Sequence, residues 1–116
     1  MAHKTKNEKR KFKHQRIRKD IIGTPSRPRL NIYKSNTGIY AQLIDDVNGK
    51  TIASVSSLTL KLSPNNIENA SKVGIELGKL ANKIQVTEIV FDRGGYIYHG
   101  KVKALADGVR QEGIKF

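Results

Sequence analysis

The chain has 116 residues, no cysteine and a formal net charge of +12 at neutral pH. This length suits one domain with an arm, and the lack of cysteine excludes disulfides and thiolate metal sites. No apolar run is long enough for a membrane span or a secretory signal, so we expect a soluble protein of the reducing cytoplasm.

The positive charge is concentrated at one end of the chain. Ten of the twelve net charges lie in residues 1–34, and the rest of the chain is close to neutral. Such a segment repels itself until it meets a polyanion, so we expect it to be frayed or helical alone and ordered when bound. We therefore predict a basic, RNA-binding arm and linker over residues 1–26 and a globular domain over residues 27–116, with turn-forming residues at 23–28 between them.

The globular part begins with three predicted strands. Apolar and polar residues alternate over 30–34 and 39–44, and a third strand is predicted over 51–56, giving an antiparallel meander. Asn48-Gly49 predicts a type I′ hairpin, because both central residues of that turn need positive φ. Asp45-Asp46 is interpreted as part of this turn rather than as a catalytic pair.

A long helix of about five turns follows, because apolar residues then recur at helical spacing. Ser63 can cap this helix and Pro64 can occupy its first position. Gly74 and Gly78 lie one turn apart and suggest close packing of the helix on the sheet. A membrane dimerisation motif is the less favoured interpretation of these glycines.

The chain ends with a predicted strand and a predicted helix. Residues 88–91 form a short apolar run, which is typical of a buried central strand. Residues 102–109 predict a last helix that ends near Gly113. A helix between the third and fourth strands implies a crossover that makes the fourth strand parallel to a neighbour. The predicted fold class is α/β, with a mixed sheet of three antiparallel meander strands plus one parallel strand and with helices packed on it.

Residues 91–103 hold the densest group of functional residue types. Gly95, Gly100 and Lys101 match most of a phosphate-loop motif, but Val102 has no hydroxyl for magnesium and bulky rings crowd the loop. Charge, aromatic rings and the amides at a helix start suit RNA better. One of the two tyrosines in this segment is expected to be a core or turn residue.

The candidate RNA-binding residues are cationic, aromatic or turn-forming. Tyr33 and Tyr40 flank a tight turn and can form either a stacking site or an ordinary cross-strand pair. Scattered histidines and the lack of a nucleophile motif predict no enzyme, no catalytic residue, no metal site and no cofactor. The full candidate set is Lys9, Arg10, Lys11, Lys13, Arg16, Arg18, Lys19, Arg27, Arg29, Tyr33, Lys34, Ser35, Asn36, Tyr40, Arg93, Gly94, Gly95, Tyr96, Tyr98, His99, Gly100, Lys101 and Lys103.

Three blocks of this sequence resemble a known family. They are RPRLNIYKSN at 27–36, IYAQ at 39–42, and FDRGGY with YHGKVKALA between 91 and 106. Together they look like the bacterial large-subunit ribosomal protein L-eighteen family of 5S rRNA binders. The similarity covers nearly the whole chain. By position, Arg27, Arg29, Ser35 and Asn36 match the strand-and-turn motif. The residues that match the glycine-turn motif are Arg93, Gly94, Gly95, Tyr96, Tyr98, His99, Gly100 and Lys101.

The resemblance implies a fold and a set of partners. The fold is related in topology to ribonuclease H but lacks its catalytic carboxylates. The implied role is to join 5S rRNA to 23S rRNA in the central protuberance of the cytoplasmic large ribosomal subunit, near ribosomal protein five. Neither a membrane nor a small-molecule substrate is implied.

The chain departs from the family pattern at several positions. Lys34 and Lys101 stand where arginine is common, so bidentate phosphate recognition is not expected there. Gly108 and Gln111 replace a usual alanine and glutamate, which is expected to weaken the last helix. Residues 83–86 lack the familiar glycine, so the end of the long helix has no obvious signal.

The leading hypothesis is a non-catalytic rRNA-binding protein. Arm cations would contact phosphates, Arg27 and Arg29 would continue that track, and the turn over residues 93–103 would hold a specific RNA feature. Three alternatives remain. They are a general nucleic-acid or nucleoid protein, a nucleotide-dependent switch at residues 95–101, and a binder of anionic membranes through the arm.

Overall fold

The computed structural model describes residues 5–18, 21–35, 38–62, 66–96 and 98–116, without the side chains of residues 12–14 and 16–18. The basic segment contains one helix, and four strands and two helices follow it. In chain order the elements are α1 (Lys6–Arg18), β1 (Arg29–Lys34), β2 (Ile39–Asp45), β3 (Lys50–Ser56), α2 (Ile67–Lys83), β4 (Val90–Asp92) and α3 (Lys101–Gln111).

The four strands form one mixed sheet in the order β3-β2-β1-β4. The pairs β1–β2 and β2–β3 are antiparallel, and β1 pairs with β4 in parallel, with Leu30 opposite Phe91. The predicted α/β class with a mixed sheet is thus confirmed, whereas the likeness to ribonuclease H stays a prediction.

The position of β4 differs from the prediction, because β4 lies at the edge of the sheet rather than in its centre. The apolar run that suggested a central strand has another cause. Ile89 precedes β4 and is fully buried in the core, and its backbone N–H donates to the carbonyl of Lys115 at 3.1 Å. The end of the chain therefore covers this segment where a fifth strand would otherwise lie.

The core lies between the sheet and the two later helices. Leu30 and Ile32 of β1 are buried on the face that packs with Val73 and Leu77 of α2 and Leu105 of α3. The opposite face of β1 and β2 carries residues that are exposed or half-buried: Asn31, Tyr33, Tyr40, Gln42 and Ile44. The predicted alternation in both strands is confirmed. It leaves one face of these strands polar and aromatic, outside the hydrophobic core.

The β2–β3 connection is not the predicted type I′ hairpin. Asp45 pairs with Lys50, so four residues form the turn, and Gly49 has a positive φ (64°) whereas Asn48 does not. The Asp45 carboxylate accepts hydrogen bonds from the backbone N–H groups of Val47 (3.0 Å) and Asn48 (3.3 Å). This side-chain turn selects the longer loop, and it confirms the predicted turn role of Asp45.

The ends of α2 show how this helix is terminated. Ser63 and Pro64 lie outside the described residues, and the helix begins at Ile67 after Asn66, whose side chain accepts from the N–H of Asn69 at 2.9 Å. At the other end, Gln85 takes the left-handed conformation (φ 65°) that glycine usually supplies. The missing glycine is therefore replaced by a glutamine.

The glycines of α2 pack on α3 rather than on the sheet. A Cβ at Gly74 would overlap the Leu105 carbonyl oxygen, and one at Gly78 would lie 2.7 Å from Glu112 Cβ. From the other side, a Cβ at Gly108 would lie 2.5 Å from the Ser71 carbonyl oxygen. Gly108 therefore permits the close crossing of the two helices. Its low helix propensity predicted a weaker helix but did not indicate this packing role.

We expect Gly108→Ala to destabilise the protein. The methyl group gains about 1 kcal/mol of helix propensity, but overpacking against Ser71 typically costs about 1–3 kcal/mol. The free energy of unfolding, measured by urea denaturation, should fall by about 1 kcal/mol. Gln111→Ala, at an exposed position of the same helix, is the control and should change it by less than about 0.5 kcal/mol. A stabilised Gly108→Ala variant would contradict the close crossing.

Candidate nucleic-acid interface

The glycine turn after β4 is anchored by a buried carboxylate. Asp92 ends β4 and is 0% exposed. Its Oδ2 accepts from Arg29 Nη1 (2.7 Å) and from Asn31 Nδ2 (3.0 Å), while its Oδ1 accepts from the backbone N–H of Gly94 (2.9 Å). Gly94 has a positive φ of 67°, and a Cβ there would lie 2.5 Å from the Ile32 carbonyl oxygen. The turn is thus fixed against β1.

Tyr96 is a structural residue of this turn. Its hydroxyl accepts from the backbone N–H of Lys34 (3.0 Å) and donates to the carbonyl of the same residue (3.3 Å). Its own carbonyl accepts from Arg93 Nη1 at 2.9 Å, and its ring packs against the core. Tyr98 is 37% exposed, and its hydroxyl accepts from Arg110 Nη1 at 2.8 Å. Of the two tyrosines, Tyr96 is therefore the core residue.

Helix α1 contacts the glycine turn through Arg10. The Nη1 atom of Arg10 donates to the Gly94 carbonyl at 3.0 Å, and its Cζ lies 4.8 Å from the centre of the Tyr96 ring. A cleft of about 470 Å³ opens between the helix and the turn. Its lining residues are Lys6, Lys9, Arg10, Lys34, Gly95, Tyr96 and His99. Four of these side chains are cations and none is a carboxylate, so the cleft attracts anions.

Lys34 lies in a half-buried position of this cleft. Burial is the main factor that lowers the pKa of Lys34, and repulsion from Lys101 lowers it further. The Nζ atom of Lys34 lies 5.0 Å from the centre of the Tyr96 ring. A phosphate group in the cleft would favour the charged form of this lysine and raise its pKa again.

The polar face of the sheet continues the cationic cleft. The rings of Tyr33 and Tyr40 lie 5.7 Å apart at 45°, as the predicted cross-strand pair, and Tyr33 is 50% exposed. Arg10 Cζ lies 6.0 Å from the centre of the Tyr33 ring. A second cleft of about 370 Å³ runs between the helix and the strand. Its lining residues are Arg10, Lys11, Gln15, Asn31, Ile32 and Tyr33.

Arg29, which was predicted to continue the phosphate track, is largely buried. Its side chain is 9% exposed, and its Nε and Nη2 atoms donate to the two carboxylate oxygens of Asp46 at 3.0 and 3.1 Å. Burial acts to lower the pKa of Arg29, but hydrogen bonds and charge from Asp46 and Asp92 outweigh burial and raise the pKa. Its near neighbour Arg27 is exposed.

The other candidate residues fall into three groups. Lys11, His99 and Lys103 are exposed, and Lys103 Nζ lies 3.5 Å from Asp107 Oδ2. Ser35 belongs to the turn with Gly38, and Gly100 caps α3 just before Lys101. Lys19 and Asn36 lie outside the described residues, and so do the side chains of Lys13, Arg16 and Arg18.

Sequence reasoning missed three residues that shape this surface. Lys6 lines the first cleft, and its helical spacing from Lys9 and Arg10 could have indicated that they share a face. Asp46 and Asp92 hold Arg29. Asp92 stands between a buried strand and two glycines, but nothing in its local sequence names Arg29 as its partner.

Among the described residues, no cluster of three or more His, Asp or Glu side chains has the arrangement to hold a metal ion. None of the helices in these segments is both long and apolar enough to cross a membrane.

Comparison with known proteins gives one consistent result. A family described as "Ribosomal L18 of archaea, bacteria, mitochondria and chloroplast" matches residues 4–116. The large ribosomal subunit protein uL18 of Mesoplasma florum is 54% identical over 97% of both chains. The proteins of the same name from Bacillus cereus (54%, over 96% of this chain and 95% of theirs) and Acholeplasma laidlawii (50%, over 97% of both) are similar too. The chain thus belongs to the uL18 family, whose members are structural, non-enzymatic proteins of the large ribosomal subunit.

Proposed function

We propose that the chain binds 5S rRNA and helps to attach it to 23S rRNA in the central protuberance, near ribosomal protein five. The observation that carries this proposal is one continuous surface of cations and aromatic rings, formed by α1, the polar face of the sheet and the glycine turn. Membership of a large-subunit ribosomal protein family supports the choice of ribosomal RNA as the polyanion.

The cations of this surface are available to phosphates. Lys6, Lys9 and Lys34 line a cleft whose described lining contains no carboxylate. On the outer faces of α2 and α3, by contrast, lysines lie near acidic neighbours. The pairs are Lys72 with Glu68 (3.8 Å), Lys79 with Glu76 (3.6 Å) and Lys103 with Asp107 (3.5 Å). The charge that attracts RNA is therefore concentrated on one side of the domain.

The aromatic rings have two different roles. Arg10 and Lys34 already lie over the ring of Tyr96, so we assign this ring to holding the two cations. Tyr33 is half exposed beside Tyr40, and amide side chains lie next to the pair at Asn31 and Gln42. This polar face suits stacking on an unpaired base and hydrogen bonding to its edge.

The rival function is a general nucleic-acid binder. It would use the same cations but would not need a fixed turn. The glycine turn, however, is held by a buried aspartate and by both hydrogen bonds of the Tyr96 hydroxyl. A rigid site of this kind favours recognition of one folded RNA over any polyanion.

We expect 5S rRNA binding to depend steeply on salt through the arm. If six to ten phosphates are engaged, affinity should fall roughly 10³–10⁵-fold between about 50 and 200 mM salt. The triple variant Lys9→Gln, Arg10→Gln, Lys11→Gln should reduce the slope of log K against log salt by about 2. Filter binding at several salt concentrations measures both quantities.

The matched control removes three cations from the other side of the domain. The variant Lys72→Gln, Lys79→Gln, Lys83→Gln changes the net charge equally, but it alters α2 rather than the clefts. It should leave the slope within about 0.5 of the wild-type value. Equal losses in the two triple variants would show that net charge, and not this surface, binds the RNA.

We expect the folded RNA to be preferred over unrelated nucleic acids. In a competition titration at fixed salt, a length-matched RNA and a DNA duplex should displace 5S rRNA only at about 10³-fold higher concentration or more. The variant Tyr33→Ala, which removes the exposed ring, should reduce this preference for 5S rRNA, because a stacked base contributes about 1–3 kcal/mol. Equal competition by all three nucleic acids would favour the general binder.

We expect the affinity for 5S rRNA to begin falling, as pH rises, at a lower pH than it would if Lys34 had an ordinary lysine pKa. The pKa of Lys34 lies below its usual 10.5, so in the free protein it loses its proton at a lower pH than an unshifted lysine, and above that pH phosphate binding must include uptake of a proton. Affinity should be flat below the lowered pKa of Lys34 and decline as pH rises through it. Lys34→Arg should remove this early decline in filter-binding assays, because arginine keeps its charge throughout. An identical pH profile for both proteins would exclude Lys34 from the contact.

A further inference from the structure

A chain of buried and partly buried polar contacts joins the root of the basic arm to the glycine turn. The Asp46 Oδ2 atom accepts from the backbone N–H of Gly23 (2.7 Å), and the Asp46 N–H donates to the Gly23 carbonyl (2.9 Å). Asp46 also accepts two hydrogen bonds from Arg29, and Arg29 donates a third to Asp92. Asp92 in turn accepts from the N–H of Gly94.

The two ends of this chain meet again at the surface. Gly23 lies where the segment that carries α1 joins the domain, and Arg10 of α1 donates to the carbonyl of Gly94. The arm is therefore held at its root through Asp46 and at Arg10 through the turn. Arg29 is the residue that connects these two supports, because its guanidinium bonds to both carboxylates.

The geometry argues against a direct contact of Arg29 with RNA. All three guanidinium nitrogens donate to carboxylates, and the side chain is 9% exposed. Turning the guanidinium toward a phosphate would leave the fully buried carboxylate of Asp92 without its cation, which is unfavourable at such a site. Arg27, two residues earlier, is exposed and has no such constraint.

We propose that Arg29 is a positioning residue, which keeps the arm and the glycine turn in one fixed arrangement and makes no phosphate contact of its own. The role of the two elements in binding RNA rests on the proposed function. The coupling between them is a property of the free protein, so it can be tested without RNA.

The first experiment measures access to the two arginines. The full-length protein is treated with phenylglyoxal, alone and bound to 5S rRNA, and modification is read by mass spectrometry. Arg27 should react in the free protein and be protected in the complex. In both states Arg29 should react at about one-tenth of the rate of free Arg27 or more slowly still, because its reaction requires local opening of the structure. Ready modification of Arg29 that RNA then prevents would overturn the proposal.

The second experiment measures the coupling itself. The chain has no native cysteine, so Gln15→Cys on α1 and His99→Cys after the turn give two unique spin labels. In the free protein, Arg29→Met should broaden the distance distribution between the labels, whereas Arg27→Met should leave it as in the wild type. Arg29→Lys keeps the charge but loses the fork that bridges two carboxylates, and it should broaden the distribution in a chain that still folds.

Affinity measurements on the unlabelled variants complete the test. Arg29→Lys should bind 5S rRNA about tenfold more weakly because the arm and turn are no longer pre-arranged. A folded Arg29→Lys variant with a wild-type distance distribution would overturn the inference, whatever its affinity. Failure of the wild-type chain to bind 5S rRNA would reject the proposed function, while the distance measurement would still decide the coupling.

Discussion

The rest of the surface depends on the ion pair between the carboxylate of Asp92 and Arg29. A fully buried charge is tolerated only when it is paired and hydrogen-bonded, and breaking such a pair typically costs about 3–5 kcal/mol. Asp92 meets this condition with donors from β1 and from Gly94. The turn is thereby held close enough to β1 for Tyr96 to bond the backbone of Lys34 and for Arg10 to reach Gly94.

No carboxylate is among the described residues that line the two clefts. Asp46 and Asp92 neutralise an arginine inside the protein, and Glu68, Glu76 and Asp107 lie near lysines of α2 and α3. The exposed pairs contribute only about 0–1 kcal/mol each, so they do little for stability. They also weaken the positive field on the side of the domain that carries α2 and α3.

Much of the fold could be predicted from the sequence, and two of the failures share a cause. The alternation in β1 and β2 depends on residues within each strand, and the structure confirms it. The loop at Asn48-Gly49 is a separate case, because it depends on the nearby Asp45 side chain. The edge position of β4 and the role of Gly108 depend on contacts with the backbones of Lys115 and Ser71, which are far away in the sequence. Local pattern and propensity carry no information about such partners.

The same distinction separates Arg27 from Arg29, which the sequence placed on one phosphate track. Alternation puts Arg29 on the face of β1 that also carries Asn31 and Tyr33, so it resembles an RNA contact. In the structure, however, two aspartates from distant parts of the chain form ion pairs with its guanidinium. Under the proposed function, a count of basic residues therefore overstates the phosphate contacts. We infer that the cations lining the clefts, whose described lining holds no carboxylate, make these contacts, and that the buried Arg29 determines where they stand.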